Sequence, residues 1–519
     1  SSRGLVETSH ARTRRRVIAA RQSTHGFTRT ILEGHMRSHT HRILPRRPAR
    51  MLIGLFLLAW LAMAIYQASK PLPTGLSLQG PWRPAEDVRL LLDQTWQQAD
   101  GERLSEQEIF DEALGLIGRA RRLVVVDMFL FNDFAGQGSY RPLSAELAGA
   151  LIDARARAPA LEAVLITDPF NSLYGGLDNP LLERLQQAGV TVISTPLQRL
   201  PASNPAWTGL WALCCSFVGN SSSDGWLPSP VGEQKITLRS YLALLNFRAN
   251  HRKTLIVDQG DDWVGLVTSA NPHDGSSRHS NQALRFRGAA ALDLLASEAA
   301  VARLIGYDSA HWPQPPDAAP IEGNEPRLRV LSEGKVRDAL LAMVDEAAPG
   351  ERLDIAVFYI AHRPLAEALI RAHQRGVQVR LLLDPNRDAF GREKNGIPNR
   401  PFAWDLHEQG IEVRWFATSG EQGHRKLMLW TRQDGSAELL SGSANFTRRN
   451  LDDLNLETDV QLRGSAEYPP LARVADDFER LWSNAEGRTY SLSYQAFADH
   501  SRWRYGLYRV MEWSGMSTF

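Results

Sequence analysis

Residues 251–258 read HRKTLIVD and are followed by TSAN at residues 268–271, and residues 424–431 read HRKLMLWT and are followed by GSAN at residues 442–445. In each copy the His and the Lys are two positions apart, so on an extended strand both side chains point to one face. The residues after them are mostly apolar, as in a strand buried against helices. A buried strand that presents an imidazole and an ammonium group together predicts a bound anion.

The segments that precede the two motifs also match each other. Three apolar segments in each half have the pattern of buried strands. They are residues 123–129, 161–169 and 190–194 in the first half and residues 353–359, 379–385 and 411–416 in the second. Residues 141–157 have the spacing of a helix. This duplicated α/β unit predicts two halves that pack with pseudo-symmetry.

Charge is spread unevenly along the chain. Residues 1–50 hold twelve Arg, no Lys and two acids, whereas the remaining residues carry 47 basic and 56 acidic side chains. An acidic body is a poor partner for nucleic acid, because non-specific binding depends on neutralising phosphates. The composition argues against a nucleic-acid partner but does not exclude one, since a basic cleft can exist in an acidic protein.

The two cysteines, Cys214 and Cys215, are adjacent. A bridge between neighbours is strained, so the pair predicts neither a disulfide framework nor a metal site. Because Trp211, Leu213 and Phe217 are close in sequence, we expect the cysteines to pack as apolar side chains.

The N-terminal region has the character of a membrane anchor. Residues 1–50 are rich in Arg and His, show no periodicity and are expected to be disordered. The apolar run at residues 51–68 is long enough for a transmembrane helix, and the Arg cluster before it predicts that the N-terminal side stays in the cytoplasm. We expect a single-span signal anchor in a bacterial inner membrane with the catalytic body in the periplasm; a cleaved signal peptide is the alternative.

The remaining boundaries follow from the repeat. We expect a linker at residues 69–84, a first half at residues 85–315 and a second half at residues 316–485. About 43 extra residues separate the third strand of the first half from its His-x-Lys motif, within an insertion at about residues 197–247.

Two aromatic segments suggest contact with a membrane. Trp207 and Trp211 in the insertion suit a membrane-interface loop, a lid over an apolar substrate or a packed cover on the core. The aromatic and basic C-terminal tail, residues 486–519, fits either an interfacial anchor or a surface helix docked by its aromatic side chains.

The paired motifs, His-x-Lys followed by Gly-Ser-x-Asn, resemble those of the phospholipase D superfamily over roughly residues 120–465. A lone His-x-Lys is uninformative, but two copies with matching Ser-Ala-Asn segments and matching upstream strands are specific. The resemblance implies an α/β fold of two pseudo-symmetric phospholipase D-like sandwich halves with the active site at their interface. Because the chain supplies both motifs, a monomer would be catalytically complete.

The resemblance also implies phosphodiester chemistry without a metal or other cofactor. His251 would form a phosphohistidine and His424 would act as general acid, although the sequence alone does not say which histidine attacks. Lys253 and Lys426 would hold the charged oxygens. The other candidates are the phosphate-binding Ser269, Asn271, Ser443 and Asn445 and two carboxylates counted with the catalytic set, Asp258 and Glu457.

The chain departs from the family pattern at several positions. Thr431 stands where the second motif would have the counterpart of Asp258, and Thr268 replaces the first Gly. Aligning the two copies places Asn281 opposite Glu457, so the first copy lacks a carboxylate that orients a histidine. Because both His-x-Lys pairs are intact, these changes leave open a weakened or specialised enzyme and do not suggest an inactive one.

Three functions are compatible with the motifs. The first is a membrane lipid enzyme acting on phospholipid, either a phospholipase D or a phosphatidyltransferase of the cardiolipin synthase kind, and the anchor, the Trp-rich insertion and the acidic body favour it. The second is a nuclease that faces away from the cytosol. The third is a degenerate pair kept as a lipid-phosphate-binding scaffold. Arginines close to both motifs would serve either kind of phosphate: Arg252, Arg278, Arg425, Arg448 and Arg449.

Overall fold

The structure, a computed structural model, describes residues 46–519 except 136–138, 322, 324 and 390–391. Most of the basic segment that we expect to be disordered, residues 1–45, therefore lies outside the described residues. Helix α1 (Arg46–Ser69) covers the expected transmembrane segment. Its stretch Pro48–Ser69 has a mean hydropathy of 2.0 and is long and apolar enough to cross a bilayer.

Helices and strands of the first half alternate as the sequence predicts. In chain order they are β1 (Arg83–Pro84), β2 (Arg89–Gln97), β3 (Arg103–Glu106), α2 (Ile109–Arg119), β4 (Leu123–Met128), α3 (Leu143–Arg157), β5 (Glu162–Thr167), α4 (Pro180–Gln187), β6 (Thr191–Ser194), α5 (Pro205–Cys214), β7 (Leu227–Pro228), β8 (Lys235–Ile236), α6 (Leu238–Leu244), β9 (Lys253–Gln259), β10 (Asp262–Thr268), β11 (Asn281–Arg287) and α7 (Ala289–Ala302).

The second half repeats this order. Its elements are β12 (Arg327–Ser332), α8 (Gly334–Glu346), β13 (Arg352–Val357), α9 (Arg363–Gln374), β14 (Gln378–Leu383), β15 (Asp388–Ala389), β16 (Arg392–Glu393), α10 (Asn399–His407), β17 (Glu412–Phe416), β18 (Lys426–Thr431), β19 (Ser436–Gly442), α11 (Arg448–Leu451), β20 (Thr458–Ser465), α12 (Pro469–Ser483), β21 (Ser491–Ser493) and α13 (Arg502–Ser514).

Each half is built on one mixed sheet. The first has the order β3-β2-β11-β10-β9-β4-β5-β6, and the second has the order β1-β12-β20-β19-β18-β13-β14-β17-β21. In both sheets three parallel strands continue into an antiparallel set that begins with the His-x-Lys strand. The continuous apolar strands arise because helices cover the sheet, and every residue of β4 is buried. The predicted α/β fold class with two pseudo-symmetric halves is confirmed.

The insertion packs against the anchor helix. Between β6 and β9 the first half holds α5, β7, β8 and α6, whereas residues 417–425 alone join β17 to β18. Gly209 of α5 permits close approach to α1, because a Cβ at this position would lie 2.8 Å from the backbone nitrogen of Ala64. The Nε1 of Trp60 donates a hydrogen bond of 2.7 Å to the carbonyl of Ala206. The insertion therefore connects helix α1 to the rest of the first half.

The C-terminal helix α13 behaves as a surface helix that is docked by an aromatic side chain, one of the two alternatives expected for the tail. Tyr508 is buried and its hydroxyl donates to the carbonyl of Ala361 at 3.2 Å, which docks the helix on the second half. By contrast, the side chains of Trp503 and Trp513 are 76% and 80% exposed. The tyrosine docks the helix, and the tryptophans remain at the surface.

The expectation for the cysteine pair is wrong. A disulfide bond joins Cys214 to Cys215. Cys214 is exposed and the neighbouring Phe217 is 77% exposed, so this segment does not pack as apolar core. The local apolar sequence misled the prediction, because the segment follows the end of α5 on the outside of the insertion.

Two of the arginines that we expected near the substrate are structural instead. Arg252 is buried, and its guanidinium lies 2.7 Å from Glu333 and 3.4 Å from Glu298. Arg425 is buried in an ion pair with Asp477. The strand alternation that points His and Lys to one face turns the intervening Arg to the other face, where it binds acids under the sheet.

Replacing Arg252 with Leu should destabilise the protein strongly, because the buried carboxylates of Glu333 and Glu298 lose their counter-charge. We expect the free energy of unfolding to fall by about 3–5 kcal/mol, as measured by urea denaturation. The control Arg371→Leu removes an exposed ion pair with Asp345 and should change stability by less than about 0.5 kcal/mol. Equal effects of the two variants would contradict a structural role for Arg252.

Candidate active site

The two His-x-Lys segments meet where the halves join. Strand β9 begins at Lys253 and strand β18 begins at Lys426, so each histidine lies just before its strand. The backbone of each segment bonds to the opposite half: the N–H of His251 donates to the carbonyl of Leu456 at 2.9 Å, and the carbonyl of Gln422 accepts from the N–H of Ser280 at 3.0 Å. The sheets therefore bring both motifs to one place.

Each histidine is oriented by a side chain from the other half. The Nδ1 of His251 lies 2.8 Å from the carboxylate of Glu457, and the Nδ1 of His424 lies 3.0 Å from the Oδ1 of Asn281. Since both partners are acceptors, each Nδ1 carries the hydrogen and each Nε2 is left with a lone pair. Asn281 and Glu457 thus occupy equivalent positions, as the alignment of the two copies predicts.

The motif serines have a different contact from the one expected. The hydroxyl of Ser269 donates to the Oδ1 of Asn281 at 2.9 Å and accepts from the N–H of Gln282 at 3.1 Å. The hydroxyl of Ser443 donates to Glu457 in the same way. Both hydroxyls are therefore engaged in positioning the groups that hold the histidines, and the expectation that they bind phosphate is corrected.

The motif asparagines remain candidates for phosphate binding, because Asn271 and Asn445 both line the cavity next to the histidines. The Oδ1 of Asn271 accepts the N–H of Leu130 at 3.3 Å, which leaves its Nδ2 as the free donor.

The lysines lie beneath the histidines. The Nζ of Lys253 donates to the carbonyl of His251 at 2.6 Å, and the Nζ of Lys426 lies 3.1 Å from the Nε2 of His424. Both lysines are fully buried. Each lysine therefore contacts the histidine of its own motif.

Two phenylalanine rings lie next to the two histidine rings. The ring of Phe129 lies 4.8 Å from the ring of His251, and the ring of Phe358 lies 4.8 Å from the ring of His424. Sequence reasoning missed this pair as site residues. The signal was present, since both follow equivalent strands, β4 and β13.

A matched pair of aspartates was also missed. The carboxylate of Asp168 accepts the N–H of Asn250 at 2.8 Å, and the carboxylate of Asp384 accepts the N–H of Gly423 at 2.8 Å. Burial raises the pKa of each to about 7. The Asp-Pro sequence that ends the second apolar segment of each half was the available signal. Both aspartates hold the backbone just before a catalytic candidate.

Asp258 does not belong to this site, so placing it with the catalytic residues is corrected. Its carboxylate accepts the backbone N–H groups of Arg121, Arg122 and Leu123. It lies near the far end of β9, and its five-residue separation from Lys253 corresponds to roughly 17 Å along a strand. Asp258 joins β9 to the start of β4, a structural contact that Thr431 need not reproduce.

His251 and His424 line one cavity of about 380 Å³. Its first-half wall is mainly apolar and aromatic, and includes Phe129, Leu130, Phe134, Tyr140, Phe170, Tyr174, Pro230, Val231, Leu244 and Phe247. Its second-half wall is more polar, and includes Phe358, Tyr359, Lys394, Gln422, Asn445, Arg449, Asn450, Asn455 and Thr518. Of the arginines expected near the substrate, Arg449 lines this cavity.

The cavity brings several basic side chains together in a buried environment. Burial lowers the pKa of His251 to about 4 and that of Lys253 to about 7. Burial and the neighbouring Lys426 hold the pKa of His424 well below 6.5. Burial would raise the pKa of Glu457, but its contacts with His251, Lys253 and Ser443 outweigh burial and hold that pKa below its usual value. His251, Lys253, His424 and Lys426 cannot all carry a positive charge until an anion enters the cavity.

The arrangement provides a nucleophilic nitrogen, a second nitrogen able to carry a proton, and cations around an anion between them. Displacement at a phosphodiester requires groups of this kind. The oriented pair sits in a largely apolar cavity that receives groups from both halves.

Comparisons with known proteins agree with this fold. Residues 340–482 match the family described as "Cardiolipin synthase, PLD-like domain". The mitochondrial cardiolipin hydrolase of Mus musculus is 26% identical over 169 residues, 33% of this chain and 67% of that protein. The Homo sapiens protein is 27% identical over 140 residues, 27% of this chain and 49% of that protein. The matched segments thus span about half to two thirds of these relatives.

Among solved structures, the phosphatidylserine synthase of Haemophilus influenzae Rd KW20 has the same fold. The likeness covers 83% of this chain and 95% of that chain, with a TM-score of 0.53 and 11% sequence identity. The duplicated fold and its paired histidine motifs are those expected of the phospholipase D superfamily, and the family match and the curated relatives support that relationship. Its second half contains a phospholipid-related domain of the cardiolipin synthase type.

Binding of an anion should drive proton uptake. Sulfate between the histidines should raise the pKa of His424, which is neutral at pH 6.5 without it, so protons are taken up and affinity rises as pH falls. Calorimetric titration of sulfate in two buffers of different ionisation enthalpy measures the uptake. His424→Asn should reduce it, and His311→Asn, at an exposed histidine outside the cavity, should not. Proton release on binding would contradict the electrostatic account.

Proposed function

We propose that the protein is a metal-independent enzyme that transfers or hydrolyses the phosphodiester of membrane glycerophospholipids through a phosphohistidine. The observation that carries the proposal is that His251 and His424, each oriented from the opposite half, line one cavity with a mainly apolar wall. The names of the relatives, cardiolipin hydrolase and phosphatidylserine synthase, support a lipid substrate.

In the first step, the Nε2 of His251 attacks phosphorus and the bond from phosphorus to the head-group oxygen breaks. His424, protonated once the anionic phosphate is bound, donates its proton to the departing oxygen. The charge of the partners supports these roles. The carboxylate of Glu457 stabilises the positive ring that His251 becomes on phosphorylation, whereas the neutral Asn281 lets His424 release its proton more readily.

In the second step, His424 removes a proton from water or from an alcohol, and the oxygen attacks phosphorus as the bond to His251 breaks. Lys253, Lys426 and the amides of Asn271 and Asn445 would stabilise the phosphoryl oxygens in both steps. Water as acceptor gives phosphatidic acid, and an alcohol gives a new phosphodiester.

The contact that we propose between the insertion and the membrane supports a lipid substrate. The anchor helix packs on α5, and the insertion that contains α5 also contributes Val231, Leu244 and Phe247 to the apolar cavity wall. Phe217 and Trp226 of the same insertion are 77% and 64% exposed. We place these side chains in the membrane interface, where aromatic residues are favoured, and the body on the periplasmic side of a bacterial inner membrane.

The wild-type protein, incubated with phosphatidylglycerol vesicles in EDTA, should form phosphatidic acid or a transfer product such as cardiolipin. His251→Asn and His424→Asn should lower the rate by about 10²–10⁴-fold or more, because each removes one proton or phosphoryl carrier. His311→Asn is the matched control and should retain full activity. Lipid products and a phosphate adduct on the His251 peptide are read by mass spectrometry.

Absence of any lipid product in the wild type would argue against the proposal. Cleavage of single-stranded nucleic acid under the same conditions would then favour a nuclease. Lipid binding without turnover of either substrate would favour a scaffold.

The interfacial role of the insertion is tested with the double variant Phe217→Ser, Trp226→Ser in the full-length protein. Its rate on long-chain phosphatidylglycerol in vesicles should fall by about tenfold, since a buried aromatic side chain contributes roughly 1.5–3 kcal/mol. Its rate on soluble dihexanoyl phosphatidylglycerol should stay unchanged. An equal fall on both substrates would show that the two side chains support the fold and do not contact the membrane.

A further inference from the structure

The second-half wall of the cavity contains two cations that the proposed reaction does not use, Lys394 and Arg449. The Nη1 of Arg449 donates to the carbonyl of Ser517 at 3.1 Å, and its Nε is buried without a hydrogen-bond partner in the described part of the chain. The Nζ of Lys394 hydrogen-bonds to the hydroxyl of Tyr359. Neutral groups are thus the only hydrogen-bond partners of both cations among the described residues.

The two cations line one cavity together with Tyr359. Lys394 lies over the ring of Tyr359 with its Nζ 5.0 Å from the centroid, and the guanidinium of Arg449 lies over the ring of Phe247 at 5.8 Å. Burial lowers the pKa of Arg449 to about 10, which indicates that neighbouring negative groups do not fully offset the burial of its guanidinium. The ring of Phe358, adjacent in sequence to Tyr359, packs on His424. Lys394 and Tyr359 therefore lie on the His424 side of the cavity, whereas Arg449 lies next to Phe247 of the first-half wall.

The carboxylates nearest to Arg449 are already engaged. Glu457 bonds to His251 and Ser443, and Asp168 bonds to the backbone N–H groups of Phe170 and Asn250. They raise the pKa of Arg449 but do not offset burial. A planar guanidinium with free N–H groups at a cavity wall matches the geometry of a phosphate or a carboxylate.

We propose that Lys394, Tyr359 and Arg449 form a second anion subsite for the lipid head group. It would hold a further negative group, either a second phosphodiester or a carboxylate, while the scissile phosphate lies between His251 and His424. This inference rests on the proposed lipid function and adds to it a preference for head groups with a second anion. Because His424 would protonate the leaving oxygen, Lys394 and Tyr359 on its side would face the departing head group.

The neighbouring Arg448 provides a matched control. It lies on the same short helix, α11, one position away, but its Nη1 donates to the carbonyls of Glu512 and Trp513 at 3.4 and 3.3 Å, and it does not line the cavity with the histidines. Arg448→Gln and Arg449→Gln therefore make the same change of charge at adjacent positions with only one of them at the subsite.

The first experiment measures kcat/KM in mixed micelles for cardiolipin, phosphatidylserine and phosphatidylglycerol with identical acyl chains. Wild type should prefer the first two lipids. Arg449→Gln and Lys394→Gln should lower kcat/KM for these by roughly ten- to hundredfold and leave phosphatidylglycerol within about twofold. Arg449→Lys should retain part of the preference, and Arg448→Gln all of it. An equal loss on all three lipids, or an equal effect of Arg448→Gln, would overturn the subsite.

The second experiment separates the subsite from the proposed reaction. In the His251→Asn background, binding of each lipid in nanodiscs is measured without turnover, with and without Arg449→Gln. Tighter binding of the doubly anionic lipids that depends on Arg449 supports the subsite even if no lipid is turned over. Turnover of lipid without any such preference supports the reaction and overturns the subsite. Binding of inorganic phosphate that depends on Arg449, with no preference among lipids, would assign the site to free phosphate and overturn the head-group proposal.

Discussion

Each histidine of the site is held by a side chain from the opposite half, so the geometry of the site depends on how the two halves pack. Glu457 orients His251, and Asn281 orients His424. The backbone follows the same crossing, since the segment before His251 bonds to Leu456. Neither half contains a complete site, so the two sheets must pack with the ends of their His-x-Lys strands facing each other. The pseudo-symmetry is thus a requirement of the chemistry as well as a record of the duplication.

The two histidine partners, Glu457 and Asn281, occupy equivalent positions but differ in charge. A carboxylate behind His251 favours a positive ring, whereas an amide behind His424 offers a hydrogen bond without a counter-charge. A nucleophile that becomes a phosphorylated imidazolium benefits from the first partner, and an acid that must release its proton benefits from the second. The substitution of Asn281 for a carboxylate therefore divides the two roles, which supports a specialised site more than a weakened one.

Sequence reasoning succeeded where the information is local or repeated. Apolar periodicity gave the parallel strands, and the repetition of His-x-Lys gave the paired site. It failed where a side chain's partner is distant in the chain. The hydroxyl of Ser269 is directed to Asn281 only because β11 folds back beside β10, and Asp258 caps the start of β4 instead of reaching the cavity. The exposed disulfide at Cys214 was missed because the apolar sequence around it follows a helix on the surface.

The insertion breaks the symmetry in a way that suits an asymmetric substrate. The duplicated scaffold alone would offer two similar walls, but the insertion adds Val231, Leu244 and Phe247 to the first-half wall, whereas the second half contributes Lys394 and Arg449. A glycerophospholipid has the same polarity, with acyl chains on one side of the phosphate and a polar head group on the other. If the diacylglycerol lies against the first half, the phosphatidyl group stays with the histidine of that half and the head group leaves past the other. The polarity of the cavity and the charge of the histidine partners thus favour the same direction for the proposed reaction.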